Sequence, residues 1–442
     1  MKLTVFFKSP CWSACVSIVV LMTGFAARAA ETPSTPAAPE VERSIEAIVA
    51  EALERNPEVK FYEAEIAAAR AGRRSAGSLG NPELSVGIGQ KSVRGGGLSE
   101  EGVAWSASLM QPFEWPGRVG LRKAIANRDL ELAQLGLAQF RSALAGRVRS
   151  LAHALAVAQQ RAAATRVVAG RLNELRDTLV ARDPAGLTPL LETRVIEASS
   201  VKAEHTAAEA EHDVEHLSIE LNYWRGQSPN APVQVAKAPP QFPPPPGLEE
   251  AYAAAATNNF DLRLRIAELE QQGFNVALAR NERFPSFAVG PAISEERAGG
   301  RERIIGLAVS LPLPLWQDNR AKVDTAEARR VQAEAALESA RRRLERDVAD
   351  YRHKYEHALG VLAKLRPDAI PHFQEAAELA DRHYRLGAVP LATYVELQRQ
   401  YVEAVEALLD ARKEAVEASG QLELLTGLPL LPVVADAKEN TK

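Results

Sequence analysis

Two stretches of the chain carry apolar residues at alternating intervals of four and three positions. One runs from Ile196 to Trp224 and the other from Leu397 to Leu425. Sustained 4-3 spacing predicts a helix packed along a narrow seam, as in coiled coils, and the many alanines indicate close approach between neighbouring helices. The seam positions are Ile196, Ser200, Ala203, Ala207, Ala210, Val214, Leu217, Leu221 and Trp224, and Leu397, Tyr401, Ala404, Leu408, Ala411, Ala415, Ala418, Leu422 and Leu425.

A glycine followed three residues later by a proline precedes each seam helix. The pairs are Gly186 with Pro189 and Gly387 with Pro390. Glycine ends helices in the left-handed conformation, and proline is tolerated in the first turn of a new helix. A long helical pattern also leads into each turn, so the sequence predicts two antiparallel helical hairpins with arms of ~100 Å. The arms cover 117–182 and 319–384, and the tips cover 183–189 and 385–390.

Four other segments alternate apolar residues with small or polar ones on a period of two. Such strands are typical of transmembrane β-barrels, although a two-sided sheet in a soluble domain has the same pattern. Four strands are too few to close a barrel, and an open sheet edge is not viable in hydrocarbon. A membrane-spanning sheet of this kind therefore requires several chains. The predicted strands span about 82–91, 103–113, 284–293 and 303–315.

The same elements occur twice in the same order, at offsets of 201 to 203 positions. Such a pattern is typical of an internal duplication. Each repeat begins with one predicted helical segment, 42–76 in the first and 248–282 in the second, and the segment between the repeats is rich in proline, as in an extended connector. The predicted units are a first repeat at 30–227, a linker at 228–247, a second repeat at 248–429 and a C-terminal tail at 430–442.

The first 29 residues have the features of a secretory signal peptide. Lys2 and Lys8 precede an apolar run, and Ala27-Arg28-Ala29 fits a cleavage site. Both cysteines lie in this segment, so the mature chain has none. The net charge of the full chain is −4, and it becomes more negative without these basic residues, which argues against a nucleic-acid partner. The rest of the chain lacks the run of about 20 apolar residues that a helical membrane span needs.

Residues 383–429, which end in the sequence Thr-Gly-Leu-Pro, resemble the second tip and returning helix of the TolC-like outer membrane efflux proteins. Residues 111–126 resemble the strand-to-helix junction of the heavy-metal branch of that family, which serves CzcC- and CusC-like pumps. The resemblance covers essentially the whole mature chain. It implies a mainly α chain with a small β part. Three copies would form a 12-stranded outer-membrane β-barrel, continued by a periplasmic coiled-coil α-barrel.

The resemblance also implies a function. Such a homotrimer is the outer-membrane channel of a tripartite efflux system and works with a periplasmic adaptor protein and an inner-membrane pump of the RND type. It is a passive duct for divalent heavy-metal cations or for organic toxicants, bounded by outer-membrane lipid. It performs no catalysis and needs no cofactor. A soluble periplasmic coiled-coil scaffold is the alternative, because it accounts for the seam helices alone.

The resemblance further implies where partners and cargo meet the chain. Glu192 and Glu396 occupy places where the family's closed tunnel often carries carboxylates, and in three chains they would form a negatively charged periplasmic constriction that attracts cations. Tyr384, at the same constriction, matches a tyrosine that helps to hold the family's tunnel shut. Val389 and Thr393 depart from the arginine and aspartate that are familiar nearby. The residues expected to dock the adaptor are Gly186, Leu187, Pro189, Gly387, Val389 and Pro390.

One segment of the first seam helix matches the zinc-peptidase pattern H-x-x-E-H, through His212, Glu215 and His216. The equivalent segment of the second repeat, KEAVE, has no metal-ligating histidine, and a packed helix offers no catalytic cleft, so we predict no peptidase activity. Together with His205 and Glu209, the two histidines form one stripe at 4-3-4 spacing. A solvated helix face and a loose site for passing divalent cations are both compatible with this stripe.

Overall fold

The computed structural model describes residues 42–95, 98–182, 190–236, 241–313, 319–365 and 369–430. The segments predicted as the signal peptide, 1–29, and as the first hairpin tip, 183–189, lie outside the described residues. In chain order, the described elements are α1 (Ile45–Arg55), α2 (Pro57–Ser75), β1 (Glu83–Gly95), β2 (Leu98–Phe113), α3 (Arg118–Arg182), α4 (Leu190–Trp224), α5 (Leu248–Asn258), α6 (Phe260–Asn281), β3 (Phe287–Arg297), β4 (Arg301–Ser310), α7 (Arg320–Lys364), α8 (Ala369–Arg385) and α9 (Leu391–Thr426).

Each repeat begins with two helices, so the prediction of one helical segment was wrong. A single asparagine ends the first helix and caps the second in both repeats. The Asn56 side chain accepts a hydrogen bond from the Glu58 backbone N–H at 2.9 Å, and Asn259 accepts one from Leu262 at 3.0 Å. Asparagine is among the best N-cap residues, and Pro57 favours the first helical position. These caps stabilise the break.

The same two asparagines also tie the start of each repeat to its end. The side-chain amide of Asn56 donates to the backbone oxygen of Trp224 at 3.1 Å, and that of Asn259 donates to the backbone oxygen of Leu425 at 3.3 Å. The acceptors are the matching residues of α4 and α9. The duplication seen in the sequence is therefore also a duplication of hydrogen bonds.

The two helical hairpins differ in one arm. In the first repeat, α3 is a continuous helix of 65 residues and contains no proline. In the second repeat, α7 ends at Lys364 and α8 begins at Ala369, so the prediction of an uninterrupted arm over 319–384 was wrong. The sequence has Pro367 between these helices. Proline lacks the backbone donor that a helix needs and also disfavours helical geometry at the preceding residue.

Parts of the predicted linker and tail belong to the helical cores. Val233 and Val235 are buried with the residues of α1 and α3, and Val235 pairs with Arg43 in an isolated parallel bridge. Leu430 is buried in the corresponding core of the second repeat, and its N–H donates to Glu423 at 2.9 Å. The linker is therefore more than a connector, and the second repeat extends beyond its predicted end at residue 429.

The four strands form one antiparallel sheet in the order β1-β2-β3-β4. The two hairpins extend further toward their turns than the sequence predicts, since β1 reaches Gly95 and β2 already begins at Leu98. Backbone hydrogen bonds, rather than apolar alternation, decide where pairing stops. At the other end, the side chain of Arg118 donates to the backbone oxygen of Phe284 at 2.6 Å, and β3 begins only at Phe287, not at the predicted 284. The last strand, predicted to reach 315, ends at Ser310.

Candidate functional site

The register gives the sheet one apolar face. Ile88 on β1 lies opposite Trp105, and Ile293 on β3 lies opposite Ile305 on β4. Ile88 is 82% exposed and Leu307 is 72% exposed. A contiguous exposed apolar surface marks an interaction with a protein or a membrane. The apolar members of this face are Leu84, Val86, Ile88, Val103, Trp105, Ala107, Leu109, Phe287, Val289, Pro291, Ile293, Ile305, Leu307 and Val309.

The opposite face of the sheet carries mainly small side chains. Gly87 pairs with Ser106, and Ser108 pairs with Ala292 in the next strand. Small and polar residues on one face and apolar ones on the other are the pattern of a strand between water and lipid. Within the described residues, β1 and β4 each pair on one side only, so both edges of the sheet are available to another strand.

Aromatic side chains and one arginine mark the end of the sheet that adjoins the helices. The rings of Phe113 and Phe287 stack with centroids 5.7 Å apart, and those of Trp115 and Phe284 stack at 4.8 Å. The guanidinium group of Arg118, at the start of α3, donates to the side chain of Asn281 at 3.1 Å and to the hydroxyl of Ser286 at 2.8 Å. These contacts fix the passage from strand to helix across the two repeats.

The second hairpin tip is a tight turn built on Gly387. This glycine has φ 73°, and its N–H donates to the backbone oxygen of Tyr384 at 2.9 Å. The N–H of Ala388 donates to the oxygen of His383 at 2.9 Å, which completes a Schellman motif at the end of α8. Pro390 is the N-cap residue of α9, one position before the first turn. The predicted left-handed stop at the glycine is confirmed.

Two tyrosines join the sides of this tip. The rings of Tyr384 on α8 and Tyr394 on α9 stack with centroids 5.3 Å apart. The hydroxyl of Tyr394 lies 3.4 Å from Asp381, which also accepts a hydrogen bond from Arg385 at 2.9 Å. Burial, and then the negative charge of Asp381, raise the pKa of Tyr394 well above its ordinary value. The tyrosine therefore stays neutral and acts as a hydrogen-bond donor.

A buried glutamine lies one turn below this pair. The side-chain N–H of Gln398 donates to the backbone oxygen of Ala377 at 2.8 Å, while its side-chain oxygen is buried without a partner among the described residues. Gln398, Asp381 and Tyr394 were not predicted from the sequence. A polar residue at a buried position of α9, between Tyr394 and Tyr401, was the available signal.

The two acidic residues predicted at the constriction have different surroundings. Glu396 accepts hydrogen bonds from Arg399 at 2.6 and 3.0 Å and from Gln400 at 2.9 Å, and these bonds lower its pKa below the ordinary value. Glu192 is exposed in the first turn of α4, where a negative charge is favourable to the helix dipole. No ion pair involving Glu192 occurs within the described part of the chain. The charge of Glu396 is thus largely offset, whereas that of Glu192 is not.

The predicted docking residues are only partly described. Val389 is half-buried, Pro390 is exposed, and Leu386 beside them is 80% exposed. Space is open around the position that a Cβ atom at Gly387 would occupy. The docking residues predicted at the first tip, Gly186, Leu187 and Pro189, lie outside the described residues.

The histidine stripe of α4 is exposed. The ring nitrogen Nδ1 of His205 lies 3.4 Å from the Glu209 carboxylate, and His212 and His216 face solvent. Among the described residues, no group of three or more His, Cys, Asp or Glu side chains forms an arrangement suited to holding a metal ion. None of the described helices combines the length and the apolar character required to cross a bilayer.

A sheet with one exposed apolar face, continued by long paired helices in two repeats, defines a membrane-associated component with a helical extension. The sequence model of the family named outer membrane efflux protein matches residues 48–224 and 251–428. The chain therefore belongs to the outer membrane efflux protein family and lies in the outer membrane, extending into the periplasm. This assignment excludes the soluble scaffold, and the family is one of channels rather than of enzymes.

Solved structures with the same fold include several outer-membrane channels. A membrane protein from Pseudomonas aeruginosa is 21% identical, with a TM-score of 0.71 over 87% of this chain and 90% of the other. CusC is 15% identical, with a TM-score of 0.68 over 87% and 92%. The open-state MtrE outer membrane channel of Neisseria gonorrhoeae is 18% identical, with a TM-score of 0.67 over 88% and 89%. No curated protein sequence matches this chain significantly.

Proposed function

We propose that three copies of this chain form a continuous exit duct through the outer membrane. The observation that carries the proposal is the sheet, which has an apolar face, a face of small residues and, among the described strands, two edges without a partner. Unpaired strand edges are not tolerated in hydrocarbon, so β4 of one chain is expected to pair with β1 of the next. Three such sheets provide twelve strands, enough to enclose a water-filled lumen.

Engineered cysteines test this pairing, because the mature chain is expected to have none of its own. Val86→Cys on β1 is combined in turn with Ile305→Cys, Leu307→Cys or Val309→Cys on β4. At least one combination should give covalent trimers on a denaturing gel without reductant. Ala107→Cys on β2 with Leu307→Cys is the control and should give none, since β2 is already paired on both sides. Covalent dimers alone, or trimers in the control, would contradict the proposed arrangement.

The duct is proposed to open toward a periplasmic adaptor at the hairpin tips, and through it toward an inner-membrane pump of the RND type. The exposed Leu386 and the open space at Gly387 support this role, because a partner helix can approach the backbone there. Replacing Gly387 and Pro390 with glutamate should abolish efflux-dependent resistance in cells while trimers remain in the outer membrane. Glu→Gln changes on the exposed face of α7, such as Glu338→Gln, serve as the control.

Glu192, Glu396 and Tyr384 are proposed to line the narrow periplasmic end. Three copies of an uncompensated carboxylate would attract cations into the constriction. Because Arg399 offsets Glu396, the change Glu192→Gln should lower cation selectivity in single-channel recordings more than Glu396→Gln does. Equal selectivity in the wild type and both variants would show that neither residue lines the path of the ions.

Divalent metal cations are the proposed cargo, and organic toxicants are the second candidate. On the face of small residues, Lys91 lies between Glu296 at 2.7 Å and Glu302 at 3.3 Å, so the carboxylates on this face outnumber its lysine. An acidic lumen favours cations. Growth of an efflux-deficient strain carrying this chain with a metal pump or with a drug pump separates the two: rescue on zinc or copper supports metal cargo, and rescue on dyes alone contradicts it.

A further inference from the structure

Near the turn of the β3–β4 hairpin, one carboxylate accepts hydrogen bonds from three arginines. Glu295 is 1% exposed. Its two oxygens accept hydrogen bonds from Arg297 at 2.9 and 3.0 Å, from Arg301 at 2.7 Å and from Arg303 at 3.0 and 3.3 Å. The guanidinium groups themselves remain about half exposed. Three positive charges around one negative charge leave an excess of two positive charges.

This cluster lies on the apolar face of the sheet. The register pairs Glu295 with Trp105 on β2 and with Arg303 on β4. Along β2, the apolar face runs from Phe113 to Val103, about 34 Å at ~3.4 Å per residue. With a strand tilt of about 40°, this corresponds to a band of roughly 25 Å, the height that outer-membrane strands present to lipid. Arg303 lies level with Trp105, and Arg297 and Arg301 lie further toward the turn, so the arginines occupy the end of the apolar band.

The opposite face of the same hairpin has the opposite charge. Glu296 and Glu302 surround Lys91 there. If the ion pairs only neutralised the turn, both faces would be expected to carry about the same net charge. Among the described residues of this hairpin, the positive excess lies on the side that carries the apolar residues. This turn is at the end of the sheet farthest from the helices, which extend into the periplasm, so it belongs at the outer leaflet.

We propose that Arg297, Arg301 and Arg303 form a site for the phosphate groups of a phosphorylated glycolipid of the outer leaflet. Each guanidinium has five donors in a planar fork that fits phosphate oxygens, and Glu295 uses only some of them. Glu295 acts as a positioning residue that holds the three forks together. The acyl chains of the same lipid would lie along the apolar face below. This site rests on the proposed orientation of the duct.

Binding of lipid A, a diphosphorylated glycolipid, to the purified trimer in neutral detergent micelles tests the site. The wild type should bind lipid A in preference to phosphatidylethanolamine. The variant Arg297→Gln/Arg301→Gln/Arg303→Gln should lose at least about tenfold in affinity. A matched control removes three exposed arginines from α7, through Arg341→Gln/Arg342→Gln/Arg343→Gln, and should bind as the wild type does. Competition by inorganic phosphate alone, without any lipid dependence, would contradict a lipid site.

The triple variant leaves Glu295 buried without its partners, so misfolding alone could abolish its binding. A second variant separates misfolding from the loss of a lipid site. Glu295→Gln removes the competing charge and should raise lipid A affinity about threefold. A purely structural cluster predicts unchanged or weaker binding in this variant, and that result would overturn the proposal. Planar-bilayer conductance of the same preparations separates the two hypotheses. A conducting wild type without lipid A preference contradicts the lipid site alone, whereas a wild type that never conducts contradicts the duct.

Discussion

The two repeats fill their helical cores with different side chains at matching positions. In the first repeat, Ile48 of α1 and Leu155 of α3 are buried together in one cluster. In the second repeat, the matching cluster contains the smaller Ala251 and the larger Tyr355, whose hydroxyl donates to the backbone oxygen of Pro243 at 2.6 Å. The side chain on α5 is thus smaller than that on α1, and the side chain on α7 is larger than that on α3. Cores tolerate such exchange when total volume is kept.

A second difference lies at the end of each repeat. Arg225 is buried and donates to the Glu51 carboxylate at 2.8 and 3.1 Å. Burial raises the pKa of Glu51, but hydrogen bonds from Arg225 and Gln227 outweigh it and hold that pKa below its ordinary value. The matching residue of the second repeat is the buried Thr426, which donates to the backbone oxygen of Leu422 at 2.7 Å. The two repeats therefore have the same helix caps, whereas the residues that make the interior contacts differ between them.

The largest expected effect comes from breaking the buried ion pair. Arg225→Ala empties the buried site of the guanidinium group and leaves the Asn222 side-chain oxygen without its donor, while Glu51 keeps Arg43 and Arg55. The variant should lower the free energy of unfolding by about 4 kcal/mol. Thr426→Ala, its counterpart, removes two neutral hydrogen bonds, one donated to Leu422 and one accepted from Leu428, and should cost about 2 kcal/mol. Urea denaturation of both variants in micelles measures the difference. Equal losses would show that the two repeat ends are energetically alike.

A buried histidine distinguishes the repeats by pH. Burial lowers the pKa of His153 to about 4, the charge of Glu46 opposes this shift, and Arg149 adds to it. The folded protein therefore disfavours the protonated ring, so stability is complete above the unfolded pKa of about 6.5 and is lost as pH falls toward 4, by about 3 kcal/mol. His153→Gln should flatten this dependence in thermal melts. The exposed His353, 200 positions later, is the control, and His353→Gln should leave it unchanged.

Exchange of core volume tests the compensation directly. Ala251→Ile inserts methylene groups beside a cluster already filled by Tyr355 and should destabilise by about 2 kcal/mol. Adding Tyr355→Leu should recover part of that loss, with a favourable coupling of about 1 kcal/mol in a double-mutant cycle. Additive costs in denaturation midpoints would show that the two positions do not share one space.

The smallest effect should be the same in both repeats. Asn56→Ala and Asn259→Ala each remove one N-cap and one hydrogen bond to the end of the repeat, and each should cost about 1 kcal/mol. Hydrogen exchange at the first turns of α2 and α6 reports the loss locally. A cost confined to one repeat would mean that the shared caps are not equivalent.

The sequence was most informative where one physical rule acts alone. The 4-3 spacing of α9 and the left-handed turn at Gly387 follow from helix geometry, and both could be predicted. The break at Asn56 could not be predicted, because an asparagine in a helical pattern is compatible both with an N-cap position and with an exposed position inside a helix. Gln398 was hidden for a similar reason, since its partner Ala377 belongs to another helix.

The sheet shows the same limit. Alternation indicated which residues share a face, but the charged ends of the strands were assigned to loops. The ladder continues to the pair of Arg297 and Arg301, where the Arg301 guanidinium group reaches Glu295 across the turn. Such tertiary arrangements do not follow from the local pattern.

The pairing of β2 with β3 has a consequence for how the chain acquires its structure. Phe113 pairs with Phe287, and Ala104 pairs with Glu296, so the middle of the sheet joins segments separated by an entire helical hairpin. A single two-stranded ribbon is marginal in water, and distant contacts close slowly. If the chain is exported with its amino end first, the ribbon of β1 and β2 reaches the periplasm before β3 and β4 do. Until then, both edges of that ribbon are unpaired. We therefore expect this interval to be the one in which the chain most needs a chaperone. Conditions that slow export should cause the chain to aggregate through the exposed edges of β1 and β2.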